Sequence, residues 1–236
     1  MPRDLALAIE TSNPSAAEDG RAGPGVAIGV LDPSAPHGVR TLGVEPLSPT
    51  ARHDDDLIPA IDRLVRRAGK APADLARVIV SVGPGGFTAL RIAIAAAKMI
   101  GEATGAGCVG VPSAEVVARR VAGARSSFAV ALAGKGDTAY AARFAPPHEP
   151  LGASLIDASA IEPLGVGLLI ADRYLPEPIR ARCAALGVEV RAPVFDPEAC
   201  LEAGATRAPV TPDGLLPIYP REPEAVTKWR QLHPRS

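Results

Sequence analysis

The sequence predicts an α/β fold with two lobes, and three observations lead to this expectation. Three strand-like apolar runs open the chain, and helix-like and strand-like segments then alternate as far as residue 122. The continuous β-branched run at 78–82 predicts a strand that is covered on both faces, as in a parallel sheet. The second half repeats a strand-rich order, although the sequence itself contains no repeat. We therefore expect two related α/β layers.

The elements of the first half follow from the spacing of apolar residues. Three strands are predicted at 5–9, 26–31 and 39–44. The spacing then becomes helical, because the next apolar residues share one helix face; they are Leu57, Ile58, Ile61, Leu64 and Val65. After the strand at 78–82 we predict a helix at 88–104, a strand at 108–111 and a helix at 113–122. Three strands followed by alternation are typical of a ribonuclease H-like layer.

The second half contains shorter segments of the same kinds. Strands are predicted at 128–132, 138–144, 154–156, 166–171 and 188–190, and helices at 178–186 and 197–203. We place the first lobe at 1–112 and a smaller second lobe at 113–205. The tail, 206–236, contains a predicted short helix at 225–232 and is expected to pack back on the first lobe.

Composition excludes several classes of protein. An apolar content of 47% is too high for a disordered chain. With 25 Lys and Arg against 26 Asp and Glu, and only 3% aromatic residues, the chain has no general basic surface for nucleic acid. No apolar segment is long enough for a membrane span, and the first apolar run lies between Asp4 and Glu10, unlike a signal peptide. Cytoplasmic location with three reduced cysteines is the expectation.

A glycine-rich turn is the most informative motif. It connects a predicted strand to a predicted helix, where backbone N–H groups commonly bind phosphate, and its residues are Gly83, Pro84, Gly85, Gly86, Phe87 and Thr88. The lysine and spacing of a P-loop are absent, and so is the third glycine of a dinucleotide fingerprint. Two interpretations stay open: a degenerate phosphate-type loop, or a tight turn that uses glycine for positive φ.

Other polar residues do not form a recognisable catalytic set. Glu10 ends the first predicted strand, and the hydroxyls of Thr11 and Ser12 are expected to bond their own backbone. His53 and the three aspartates after it do not converge on a metal, because successive helical positions are about 100° apart. They suit a helix N-terminus instead. We predict no catalytic residue and no metal site.

The predicted helix at 88–104 is unusual because small residues occupy several of its faces, including Ala89, Ala93, Ala95 and Ala97. Such a helix is covered on more than one side. It is either buried between the sheet and the first helix, or part of it forms a subunit interface.

Several of these segments together resemble the TsaB (YeaZ) family, the accessory proteins of bacterial threonylcarbamoyladenosine (t6A) modification of tRNA. The similarity is strong over 51–118 and in the tail at 217–229, and weak between. In the turn, the family's pattern is kept at Gly83, Pro84, Gly85, Phe87, Thr88 and Arg91. Ser81, Gly86 and Ala89 depart from it, since the family usually has Gly, Ser and Gly there.

The resemblance implies an actin-like (ASKHA) ATPase fold with two ribonuclease H-like lobes, the second smaller and divergent. It also implies a non-catalytic subunit that pairs with the transferase TsaD, with the ATPase TsaE as a third partner. It implies a homodimer when the chain is alone and only indirect contact with tRNA. No cofactor is implied, apart from the option of a nucleotide at the subunit junction. Glu10 stands where actin-like ATPases have an aspartate that organises metal and phosphate.

The family's partner surface uses the first two helices of the first lobe. The residues that this implies are His53, Leu57, Ile61, Leu64, Ala89, Arg91, Ile92, Ala95, Ala96 and Met99. The chain departs from the family in its long loop at 13–25 and in the segment at 132–135, which replaces an Asp-Ala-Arg-like stretch. An active phosphotransferase that uses the glycine-rich turn is the alternative function, and a metallopeptidase is the third.

Overall fold

The structure is a computed structural model that describes residues 3–13, 23–47, 53–124 and 126–221, together with Val226, Trp229, Leu232 and His233. Its first sheet has five strands, which are β1 (Leu5–Glu10), β2 (Gly25–Leu31), β3 (Val39–Pro46), β4 (Leu75–Gly83) and β5 (Gly107–Pro112). They lie in the order β3-β2-β1-β4-β5. The β1–β2 and β2–β3 pairs are antiparallel, and the β1–β4 and β4–β5 pairs are parallel.

The second sheet repeats this topology. Its strands are β6 (Phe128–Lys135), β7 (Thr138–Ala145), β8 (Glu149–Ile156), β9 (Leu168–Ala171) and β10 (Glu189–Arg191). They lie in the order β10-β9-β6-β7-β8, with β6, β7 and β8 antiparallel and β6, β9 and β10 parallel. The prediction of an α/β fold with two ribonuclease H-like layers is therefore confirmed.

Six α-helices connect or cover these strands in the described residues. They are α1 (His53–Arg67), α2 (Phe87–Thr104), α3 (Ser113–Ala118), α4 (Ile161–Leu164), α5 (Glu177–Ala185) and α6 (Pro197–Gly204). The third helix is shorter than predicted because its last N–H groups bond carbonyls three residues back, as from Val121 to Ala118. None of the helices in these parts of the chain is both apolar enough and long enough to cross a bilayer.

The side chains of β1 point alternately to the two faces of the first sheet, and an apolar layer covers each face. Leu5, Leu7 and Ile9 belong to the core beneath α1 and α2, whereas Ala6 and Ala8 face α6 on the opposite side of the sheet. Small side chains on that side leave room for α6 to approach closely. The structure accordingly places α6 on the first sheet, although the boundary expected from the sequence assigns its residues to the second lobe.

Residues 210–215 of the tail lie against the first lobe. Cys108 of β5 and Val210 exchange both backbone hydrogen bonds, at 3.0 and 2.7 Å, and Leu215 is buried in the core beneath α2. Val226, Trp229 and Leu232 have helical backbone geometry. The remaining residues of the helix predicted at 225–232, and most of the loop at 13–25, lie outside the described residues.

The contact between α6 and the sheet leads to a stability prediction. A Cβ added at Gly204 would lie 2.3 Å from Cγ2 of Ile79, so Gly204→Ala forces these elements apart. We expect a loss of about 1–3 kcal/mol in the free energy of unfolding, measured by urea titration. The matched control is Gly167→Ala, where no heavy atom lies within 4 Å and the loss should stay below about 0.5 kcal/mol. Equal stability of the two variants would contradict the packing account.

Candidate functional site

The glycine-rich turn is packed against the end of β1. The N–H of Gly86 donates to the carbonyl oxygen of Ser12 at 2.7 Å. A Cβ at Gly85 would lie only 2.1 Å from the same oxygen, so this close approach requires glycine. Gly83 has a φ of +99°, which agrees with the tight-turn interpretation of the motif. One N–H group of the turn is thus used in a hydrogen bond within the protein. Phe87 and Thr88 remain exposed at the start of α2.

A cleft of about 310 Å³ separates this turn from the second lobe. The residues that line it are Asn13, Pro84, Gly85 and Gly86 of the first lobe and Leu132, Ala133, Gly134, Asp172 and Tyr174 of the second. Asn13 Nδ2 donates to Asp172 Oδ2 at 3.0 Å and so bridges the two lobes. Among the described lining residues there is an aspartate but no lysine or arginine. A phosphate group placed here would meet a carboxylate without a neutralising cation from this set.

Glu10 lies inside the first lobe and not in the cleft. Its side chain is fully buried, and its Oε1 accepts hydrogen bonds from the Ser12 N–H at 2.7 Å and from the Ser12 hydroxyl at 2.6 Å. The Ser12 hydroxyl therefore bonds a carboxyl group, and the Thr11 hydroxyl donates to the carbonyl of Ala89 at 3.2 Å. The expectation that these hydroxyls bond their own backbone is wrong, because partners from the fold are better placed.

The surroundings of Glu10 are polar but incompletely hydrogen-bonded. Glu10 Oε2 is buried and has no partner within ordinary hydrogen-bond distance among the described residues. Burial raises the pKa of Glu10 to about 7, the bonds from Ser12 act in the opposite direction, and the negative charge of Asp196 adds to the increase. The carboxyl is thus about half protonated at neutral pH, where an ordinary glutamate is ionised.

The residues expected at a partner surface divide into two sets. Five are buried in the core of the protomer because they face the sheet or the neighbouring helix; they are Leu57, Ile61, Leu64, Ala89 and Ala96. Arg91, Ala95 and Met99 are exposed and Ile92 is half-buried, and these four share one face of α2. We call this set the α2 face. His53 begins α1, and its side chain lies outside the described residues.

The α2 face continues onto the neighbouring apolar side chain of Phe87. Met99 is 66% exposed, and Phe87, at the start of the helix, is 56% exposed. Ile58 on α1 is 49% exposed, although its helix neighbours Leu57 and Ile61 are buried. Exposed apolar residues grouped in this way commonly mark protein–protein contacts.

The guanidinium group of Arg91 is held by two aromatic residues. Its carbon lies 3.8 Å from the centroid of the Phe87 ring, and its Nε donates to the hydroxyl of Tyr219 at 3.0 Å. The contact with Tyr219 could not be predicted from spacing, because the two residues are 128 positions apart. No three His, Cys, Asp or Glu side chains in the described ranges are grouped so that they could hold a metal ion.

The titration of Glu10 leads to a pH prediction. The folded-state pKa of about 7 lies above the ordinary value of 4.5, so stability is full below about pH 4.5 and falls as the pH rises to about 7. The loss amounts to about 3 kcal/mol in the free energy of unfolding. Glu10→Gln removes this titration, so its unfolding free energy should depend less on pH. Urea titrations of both proteins across that range measure the difference, and parallel pH profiles would contradict it.

Comparisons with solved structures agree with the two-lobed architecture. A structure described as YeaZ from Pseudomonas aeruginosa superposes with a TM-score of 0.65 at 18% identity, covering 92% of this chain and 99% of that chain. A second structure, of an uncharacterized protein with similarity to peptidase YEAZ from Pseudomonas aeruginosa, has a TM-score of 0.65 at 19% identity. It covers 92% of this chain and 100% of that chain. The predicted resemblance to YeaZ is thereby confirmed for the fold.

Sequence relatives are found in mycobacteria. The uncharacterized protein Rv3421c of Mycobacterium tuberculosis is 28% identical over 222 residues, 93% of this chain and 92% of the relative. The uncharacterized protein ML0378 of Mycobacterium leprae is 28% identical over 173 residues, which are 73% of this chain but only 45% of that relative. The family model described as "TsaD: tRNA N6-adenosine threonylcarbamoyltransferase" matches residues 33–203. Because this match covers more than half of the chain, the protein belongs to that family, and within it the chain has the fold of YeaZ.

Proposed function

We propose that this chain is a non-catalytic TsaB-like subunit that binds and supports a TsaD transferase during threonylcarbamoyl transfer to adenosine 37 of tRNA. Family membership supports the reaction, and the YeaZ fold supports the accessory position within it. In this proposal the chain forms a homodimer when alone, works in the cytoplasm with TsaE as a third partner, and contacts tRNA only through its partner.

The interior of the first lobe supports a role without phosphate chemistry of its own. The Glu10 carboxyl is enclosed and bonded to Ser12, so it is not available to a substrate in the cleft. The N–H of Gly86 is already bonded to the Ser12 carbonyl. These features favour the accessory role over the phosphotransferase alternative.

The α2 face is the observation that carries the proposal. Its exposed side chains are apolar or small apart from Arg91, Lys98 and Glu102 lie beside them on the helix, and the exposed Phe87 extends the face. Covering such side chains is favourable by about 25 cal/mol for each Å² of apolar surface removed from water. Ala95 projects only a methyl group, so a partner helix can approach α2 closely there. A partner can therefore bind to α2 without any rearrangement of the core.

Reconstitution tests the accessory role. Cognate TsaD and TsaE are incubated with tRNA, ATP and the other substrates, with and without this chain, and modified adenosine is quantified by mass spectrometry. We expect modification to depend on the chain, while calorimetry of the isolated chain with ATP gives no binding heat. Modification at the same rate without the chain would contradict the accessory role. ATP binding by the chain alone would favour the phosphotransferase instead.

Substitutions on α2 test the partner surface. Ala95→Glu and Met99→Glu place a charge where the partner is expected to exclude water, so the Kd for TsaD should rise about tenfold or more, measured by calorimetry. Both variants should keep the circular dichroism spectrum of the parent, since these side chains are exposed.

Two further variants complete this test. Leu151→Glu, on the exposed strand β8 of the second lobe, should leave the Kd unchanged. Ile61→Glu should unfold the chain, because Ile61 is only 8% exposed and lies in the core. Unchanged affinity of both α2 variants would contradict the proposed surface.

A further inference from the structure

We propose that residues 215–221 form a strap that joins the two lobes and fixes the angle between them. This segment, called the strap below, is bound to the first lobe at one end and to the second lobe at the other. It would make the relative position of the lobes depend on a stretch of tail that belongs to neither sheet.

The first-lobe end of the strap is held by burial and by hydrogen bonds. Leu215 is 2% exposed and belongs to the core beneath α1 and α2. The N–H of Ile218 donates to the carbonyl of Val82, the penultimate residue of β4, at 2.7 Å. Tyr219 accepts the bond from Arg91, and its ring centroid lies 5.8 Å from that of Phe87. This end is therefore attached to both β4 and the first turn of α2.

The second-lobe end is held by a single side chain, Arg221. Its Nη1 donates to the carbonyl of Ala133 at 2.7 Å. Its Nη2 donates to the carbonyl and to the hydroxyl of Thr138, at 2.9 and 2.8 Å. Both acceptor residues belong to the β6–β7 hairpin. Hydrogen bonds from a charged donor are stronger than those between neutral groups, so one guanidinium can hold this end.

The position of the strap allows it to oppose rotation of one lobe relative to the other. The helix α3 joins the lobes on the α6 side of the first sheet, where Val117 and Ala118 pack with Phe128 and Val130 of β6. The strap joins them on the opposite side, where the core beneath α1 and α2 lies. A connection on one side alone permits rotation about it, whereas connections on both sides oppose that rotation. The strap also forms one wall of a groove of about 1000 Å³, with Lys135 and Leu155 opposite.

Pulsed electron paramagnetic resonance between the lobes tests the strap. Spin labels are attached to Arg66→Cys on α1 and Ala185→Cys on α5, both exposed, while the native cysteines Cys108, Cys183 and Cys200 are buried. We expect a narrow distance distribution in the parent chain, and a distribution at least about twofold wider in Arg221→Ala, because the lobes then keep α3 and the Asn13–Asp172 bond but lose the connection through the strap. A width that is unchanged in Arg221→Ala would overturn the proposal.

Controls separate the strap from a general loss of stability. Arg182→Ala removes an arginine that bonds Glu162 within the second lobe, and it should leave the distribution unchanged. Widening in Arg182→Ala equal to that in Arg221→Ala would also overturn the proposal. If the circular dichroism spectrum of Arg221→Ala differs from that of the parent, the distance distribution of Arg221→Lys is measured instead. An unchanged width in Arg221→Lys would then overturn the proposal. Lysine keeps the positive charge. Its ammonium group, however, lacks the planar set of N–H donors with which arginine reaches acceptors on both strands of the hairpin.

Discussion

The meeting of β1 with the glycine-rich turn is the contact on which the functional features of this protein depend. The Ser12 carbonyl accepts the Gly86 N–H, and only a glycine at position 85 allows the two backbones to come so close. This contact sets where α2 begins. It also engages the Gly86 N–H of the turn in a hydrogen bond within the first lobe, while Phe87 and Thr88 stay exposed. The same stretch of β1 carries Glu10 into the layer beneath α6.

Enclosure limits what the Glu10 carboxyl can do chemically. A carboxyl that binds a cation must be ionised and accessible, whereas Glu10 is buried, bonded to Ser12 and has a raised pKa. In the proposed function, the exposed face of α2 is the feature through which the chain acts on another protein.

The two lobes are alike in topology but differ in how they are tied together. Each has three antiparallel strands followed by two parallel ones. The first lobe, however, also receives α6 and the tail from the end of the chain. The second lobe is reached by α3 on one side, by Arg221 on the other and by Asn13 in the cleft. Contacts made by chain segments that are distant in sequence therefore maintain the shape of the cleft and of the groove.

The sequence by itself determined the fold class and most element positions, because strand and helix periodicity are local properties. Three patterns indicated the local structure without knowledge of what packs against it. They are the β-branched run of β4, the amphipathic spacing of α1 and the glycine-rich turn. Motif residues in the turn also pointed to the family.

Only the tertiary structure decided which faces are free and which are buried. Leu57 and Ile58 are adjacent apolar residues of one helix, yet one is buried and the other exposed, since burial depends on what packs against each side chain. The assignment of α6 to the first sheet depends on the small residues Ala6 and Ala8, which lie almost 200 positions before it. The pairing of Arg91 with Tyr219 and of Arg221 with the β6–β7 hairpin likewise joins residues about 80 to 130 positions apart. Contacts over such separations leave no periodic signal, because chain topology and not local spacing brings the partners together.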